Sequence, residues 1–217
     1  MEVSAEIRWF WRNTAPPGLV DWFRPADAHG YPAGGGRTRM DEYLRDANQV
    51  ELGCKRRGGL PGVEVKGLVA VTWSGVTVEP FVGPIERWTK WTSEPLVFPT
   101  TATITIEKQR WLRTFDTSTP VPQEIPLDAE EQPLDKRPLP TLGCHVELTQ
   151  VRLPDGEVWW TLGFEAFGTL RTVENDLHAV ATTLAARRPP GLGERLRLSY
   201  PAWLAHYALD TAESSVH

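Results

Sequence analysis

Charged residues of both signs occupy every second position in several segments of the chain, with apolar residues between them. Glu6 and Arg8 form one such pair, and Glu64 and Lys66 form another. Lysine and arginine bind phosphate oxygens, and carboxylates bind hard divalent cations such as Mg²⁺ and Mn²⁺. The alternating charged residues are therefore candidates for phosphate and metal binding, and they include the acids Glu6, Glu51, Glu64, Glu86, Glu147 and Glu165 and the bases Arg8, Lys55, Lys66, Lys90, Lys108 and Arg110.

Alternation with a period of two is typical of a β-strand, in which successive side chains point to opposite faces of the sheet. Turn residues separate the alternating segments from one another. These segments are 2–12, 50–57, 62–73, 86–91, 101–115, 143–153 and 157–168. We expect about seven or eight strands, and such a series of short strands is typical of a barrel or a sandwich.

The alternation leaves two arrangements of these strands open. In a sandwich the charged positions face water and the apolar ones face the core, and the pattern alone favours this fold. A closed barrel of about eight strands has room inside for side chains or one small ligand. Large apolar residues such as Trp9, Val65 and Leu162 would then lie outside and need cover. Because burying unpaired ions is costly, a charged interior must hold water, metal ions and an anionic ligand.

Two helical segments and one loop are expected besides the strands. Apolar residues at helical spacing predict a helix over 172–188, which Pro189 and Pro190 stop. A helical turn is expected at 19–23, and the glycine- and proline-rich segment 28–37 is expected to be a mobile loop.

We expect one tunnel-barrel domain over residues 1–210. Residues 116–142 are rich in proline and acidic residues, so we interpret them as an irregular excursion within this domain and not as a linker. Residues 211–217 are expected to be a frayed tail.

Composition excludes several classes of protein. The net charge of −5 argues against a binder of long nucleic acid, which needs a broadly basic surface. Cys54 and Cys144 do not have the spacing of a zinc knuckle and cannot form a disulfide scaffold. No apolar run has the length of a signal peptide or a membrane span, so we expect a cytoplasmic protein that does not enter a membrane.

The order of several short motifs resembles that of the CYTH, or triphosphate tunnel metalloenzyme, superfamily. The matching segments are 41–44 (DEYL), 52–57 (LGCKRR), 63–67 (VEVKG), 107–110 (EKQR), 155–168 and 199–204 (SYPAWL). The first strand departs from the ExExK motif of the family, because it has Ser4, Glu6 and Arg8 at the corresponding positions. In the late strand, Phe167 lies two residues after Glu165, where the family pattern has a second carboxylate. The chain therefore resembles an atypical member of the superfamily.

The resemblance implies a β-dominated α+β fold, an eight-stranded antiparallel tunnel barrel with a C-terminal helix packed outside. It also implies that Mg²⁺ or Mn²⁺ bridges phosphate oxygens and the carboxylates of Glu6, Glu147 and Glu165, which would be the catalytic groups and metal ligands. The residues implied to hold a triphosphate are Arg8, Lys55, Arg57, Lys66, Lys90, Lys108 and Arg110. A metal-polarised water would then attack the terminal phosphorus.

Three functions follow from this resemblance. The first is hydrolysis of a triphosphate-containing small molecule, such as a nucleoside triphosphate or tripolyphosphate. The second is cyclisation of a nucleotide, as in class IV cyclases. The third is binding of a phosphorylated ligand, or of a protein partner, without catalysis, which the incomplete carboxylate set favours.

Overall fold

Eight strands close into an antiparallel barrel in the computed structural model. The model describes residues 1–24, 34–46, 48–58, 61–94, 96 and 103–214, with side chains as far as residue 208. The barrel strands are β1 (Glu2–Arg12), β2 (Gly34–Leu44), β3 (Leu52–Arg57), β4 (Val63–Val76), β5 (Gly83–Ser93), β6 (Thr103–Asp116), β8 (Gly143–Arg152) and β9 (Val158–Phe167). Their order around the barrel is β1-β5-β4-β3-β2-β6-β8-β9, and β9 pairs with β1 to close the ring.

Two short strands and three helices lie around this barrel. Strand β7 (Gln123–Ile125) pairs with β6, and β10 (Leu196–Arg197) pairs with β1. The helices are α1 (Leu19–Phe23), α2 (Val173–Ala185) and α3 (Tyr200–Ser214). Among the described residues, none of the helices has both the length and the apolar character needed to cross a membrane.

Helix α2 covers part of the outer face of the barrel. Ile7 and Trp9 on β1 and Phe164 on β9 belong to the same buried cluster as Leu177 and Val180 of the helix. The apolar half of the alternation therefore faces outward and is removed from water by a helix. This arrangement supplies the cover that an outward-facing apolar surface needs.

Helix α3 closes one end of the barrel. Phe10, Tyr43, Ile106 and Trp159 come from four different strands and pack with Trp203 of the helix in one buried cluster. The rings of Trp203 and Phe10 stack with 5.0 Å between centroids and 7° between planes. We call this region, defined by Phe10, Tyr43, Trp159 and Trp203, the aromatic end. The barrel is thus a tunnel, one end of which is covered by α3.

Most of the predicted elements are confirmed. Each of the seven predicted strand segments overlaps one barrel strand, the turn at 19–23 is α1, and the helix predicted over 172–188 contains α2. The closed eight-stranded barrel replaces the sandwich that the alternation alone favoured.

Two elements were not expected, and both correct the sequence analysis. Residues 34–37 belong to β2 and not to a loop, while 28–33 lie outside the described residues. Gly35 and Gly36 have φ of 95° and 89°, and the β2–β6 register shifts next to them, so these glycines form an irregularity within a strand. Helix α3 continues through Ser214, so part of the expected tail is helical.

The proline-rich excursion is irregular but not structureless. It contains β7 and an isolated bridge between Leu127 and Pro133. Ile125 and Leu127 are buried in a small cluster with Leu112 of β6. The segment therefore packs against the barrel wall.

Candidate functional site

The charged half of the alternation lines the barrel interior. Arg8 on β1 pairs with Glu147 on β8, although β9 lies between these strands. Lys66 on β4 reaches Glu6 on β1 in the same way, across β5. Side chains on the outside of a convex wall cannot converge across an intervening strand, so these residues point inward. The strand registers place all ten predicted site residues on this inner face.

One group of ion pairs is centred on Glu147. Its two carboxylate oxygens accept hydrogen bonds from Arg8 Nη2 at 3.0 Å and Arg110 Nη1 at 2.8 Å. Burial alone would raise the pKa of Glu147, but Arg110 and Arg8 outweigh it and hold that pKa well below its usual range. Gly163 lies opposite Arg8 on β9, where an added Cβ would overlap the Arg8 guanidinium. The glycine therefore leaves the space that this arginine occupies.

A second group joins β1, β4, β5 and β9. The Ser4 hydroxyl and the Lys66 ammonium donate to the two carboxylate oxygens of Glu6. Lys90 Nζ lies 3.3 Å from Glu165 Oε1. Burial raises the pKa of Glu165, but Lys66 and Lys90 together lower it to about 2. This carboxylate is therefore ionised at neutral pH.

A third group lies on β3 and β4. Glu64 is shared by Lys55 Nζ at 2.7 Å and by Arg57 Nη2 at 3.4 Å. Burial lowers the pKa of Lys55, an effect that Glu64 opposes. One carboxylate therefore serves two cations, and its distance to Arg57 is the longer of the two.

Lys108 lies at the border of the aromatic end. Its ammonium donates to the Tyr43 hydroxyl, lies 3.7 Å from the centroid of the Tyr200 ring, and is 3.8 Å from the buried Asp41 carboxylate. Burial lowers the pKa of Lys108 well below its usual range, although Asp41 opposes this shift. The side chain is buried, and aromatic rings of α3 and β2 enclose it. Its predicted role as a phosphate ligand would require Tyr200 to move.

A cavity of about 480 Å³ opens at the end of the barrel opposite α3. We call it the mouth. It is lined by Met1, Glu2, Arg57, Pro61, Gly62, Glu64, Lys90, Trp91 and Thr92. Of the predicted phosphate ligands, Arg57 and Lys90 line the mouth directly. Lys55 and Lys66 line a smaller cavity beside α3, and Arg8, Lys108 and Arg110 lie in the contacts described above.

The carboxylates in this arrangement do not fit a Mg²⁺ or Mn²⁺ site. Both oxygens of Glu147 accept from arginines, and both oxygens of Glu6 are bonded to Ser4 and Lys66. Lys90 lies against Glu165. Within the described residues, no group of three or more His, Cys, Asp or Glu side chains is placed to hold a metal ion. A metal ion bound here would have to displace the arginine and lysine side chains from these carboxylates. The role of Glu6, Glu147 and Glu165 as metal ligands stays a prediction.

The sequence analysis did not identify several residues of this interior as site candidates. Asp41 and Tyr43 are inward-facing residues of β2, and recognition of β2 as a strand would have revealed them by their spacing. Tyr200 comes from α3 and lies over Arg8 and Lys108. Glu131 comes from the excursion and binds Arg110, and no sequence pattern singles it out.

Comparisons with known proteins do not assign this chain to a family. No protein-family model matches it, and no curated protein matches its sequence. The fold and the interior are therefore interpreted from their own geometry.

Proposed function

We propose that the barrel binds a small molecule carrying phosphate groups at the mouth, with Arg57 and Lys90 as its first contacts. The observation that carries this proposal is a cavity of about 480 Å³ into which two cations point. Ligand sites are concave, fall in the range of about 300–1,000 Å³, and contain a few convergent polar groups. The mouth opens at the end of the barrel that α3 does not cover, and it is larger than the cavity that Lys55 and Lys66 line beside α3.

The cations of the mouth are held loosely by their carboxylate partners. Lys90 Nζ lies 3.3 Å from both Glu2 and Glu165, and Arg57 is 3.4 Å from Glu64. Charge-assisted hydrogen bonds are usually about 2.7–2.9 Å long, so a phosphate oxygen could make a closer contact than these partners do. The Glu2 side chain is 74% exposed, so it can move away from Lys90 without giving up buried contacts.

The protonation state of Lys90 suits contact with an anionic ligand. Burial lowers the pKa of Lys90, but Glu165, Glu64 and Glu2 outweigh it and raise that pKa above its usual value. Lys90 is therefore cationic at neutral pH. The Nε atom of Arg57 is buried and has no hydrogen-bond partner among the described residues, which leaves one donor of its fork unused.

The resemblance to triphosphate tunnel enzymes supports phosphate as the anionic group. Of the functions it implies, binding without catalysis is favoured by one observation: the carboxylates of Glu6 and Glu147 are fully engaged by cations and Ser4. Hydrolysis of a triphosphate stays the alternative, and one experiment separates the two.

Isothermal titration calorimetry with tripolyphosphate tests the proposal, first in EDTA and then in Mg²⁺. We expect binding in EDTA, with affinity roughly tenfold weaker in Lys90→Gln because one charge-assisted contact is lost. Lys136→Gln is the matched control, because it removes the same charge from an exposed site in the excursion. Equal affinities in Lys90→Gln and Lys136→Gln, or no binding to the wild type, would reject the mouth as the site. Orthophosphate release in Mg²⁺ would establish hydrolysis in place of binding alone.

A further inference from the structure

Arg110 already binds a carboxylate that the excursion supplies and that does not belong to a barrel strand. It donates from Nε at 2.9 Å, and also from Nη2, to the two carboxylate oxygens of Glu131 in the excursion. Its Nη1 donates to Glu147 at 2.8 Å. A two-point contact of this kind is the geometry in which arginine binds carboxylate and phosphate groups of ligands.

The excursion is shaped to present Glu131. The Asp128 side chain accepts the backbone N–H groups of Glu130 at 2.8 Å and Gln132 at 2.9 Å. Glu131 has φ of 64°, a left-handed conformation that glutamate seldom adopts. A Cβ on Gly35 would lie 3.0 Å from the Glu131 carboxylate and 2.6 Å from the Arg110 carbonyl. The turn around Asp128 therefore directs the Glu131 carboxylate to Arg110, and Gly35 leaves the space that this carboxylate occupies.

Arg110 and Lys90 of the mouth face each other across the charged interior. Strands β5 and β6 are four places apart in the ring of eight, so Lys90 and Arg110 lie on opposite walls. Lys90 pairs with Glu2 near the mouth, and Arg110 lies in the middle of β6, opposite Thr149. Burial lowers the pKa of His145 on the inner face of β8, and the charges of Arg110 and Lys90 lower it further. Both cations therefore face the same part of the interior, and an elongated anion bound at Lys90 could extend toward Arg110.

We propose that Arg110 is a second anion-binding position of the barrel and that Glu131 is its built-in occupant, which the ligand displaces. This inference rests on the proposed function. It defines the ligand class as a linear polyphosphate or another molecule with two separated anionic groups. One group would bind at Lys90 and Arg57, and the other would replace the Glu131 carboxylate.

Binding of tripolyphosphate to Glu131→Gln tests this inference at constant ionic strength. If Glu131 occupies Arg110 about nine-tenths of the time, its removal tightens binding roughly tenfold. Glu130→Gln is the matched control, since it changes the net charge equally one residue away, where Glu130 pairs with the exposed Arg37. Glu131→Asp provides a second variant that keeps the charge but shortens the reach, and we expect an intermediate gain. Thermal unfolding verifies that each variant is folded.

The outcomes separate the two proposals. A gain in Glu131→Gln that is absent in Glu130→Gln and larger for tripolyphosphate than for orthophosphate supports the second position. Equal gains in both variants, or unchanged or weaker binding in Glu131→Gln, overturn it while leaving binding at the mouth intact. Failure of the wild type and of Glu131→Gln to bind either anion overturns both proposals.

Discussion

The two ends of the barrel interior are filled by different kinds of side chain. At the aromatic end, Phe10, Trp159 and Trp203 pack in an apolar cluster that α3 completes, and of these three Trp159 also contacts charged groups, those of Glu157 and Arg12. Toward the mouth, the same strands carry Arg8, Glu147 and their partners in ion pairs. One β-barrel can therefore have a dry half that stabilises the fold and a charged half whose stability depends on pairing. We locate ligand binding in the charged half.

The largest effect is expected from emptying the aromatic end. Trp203→Ala removes a fully buried indole that stacks on Phe10, so it should lower the free energy of unfolding by about 4 kcal/mol. Trp73→Ala is the control, because this indole is 79% exposed and its truncation should change stability by less than about 0.5 kcal/mol. Urea unfolding measures both. Similar losses in the two variants would show that α3 does not complete the core.

Removing the carboxylate that Arg8 and Arg110 share in the charged half should have a somewhat smaller effect. Glu147→Gln leaves the buried Arg8 without its carboxylate, which should destabilise the fold by about 3 kcal/mol. Glu107→Gln is the control, because its pair with Arg152 is half-exposed and 3.6 Å long, and it should cost less than about 1 kcal/mol. If Glu147→Gln costs no more than Glu107→Gln in urea unfolding, the charged interior is more hydrated than this account requires.

Acid should destabilise the charged half selectively. The pKa of Glu165 falls from an ordinary 4.5 to about 2 on folding, so its stabilisation is present above about pH 4.5 and is lost as pH falls toward 2. At pH 3 this loss amounts to about 2 kcal/mol. Urea unfolding at pH 6 and pH 3 should show a smaller pH effect in Glu165→Gln than in the wild type. An identical pH effect in both would remove Glu165 from the pairs that stabilise the fold.

The sequence predicted seven of the eight barrel strands and the faces of their side chains. Alternation places Glu6 and Arg8 on one face of β1 whatever the tertiary structure is. It does not decide whether that face points into a barrel or toward water, since closure depends on the pairing of β9 with β1. The resemblance predicted closure where the pattern alone did not.

Partners within the interior could not be read from the sequence. Arg8 and Glu147 are 139 residues apart, and only the ring order brings them together. Glu131 has the same local composition as Glu130, and the left-handed turn that directs it to Arg110 has no glycine to signal it. Helix α3 was missed because Pro201 reads as a turn residue, although proline is tolerated in the first turn of a helix.

A crystal structure of the protein with tripolyphosphate would test the central claim most directly. Our account predicts phosphate density in the mouth within hydrogen-bond distance of Lys90 and Arg57, with Glu2 displaced from Lys90. Density confined to the outer surface, with the contacts of Lys90 to Glu2 and Glu165 retained, would contradict the assignment of the barrel interior as an anion site.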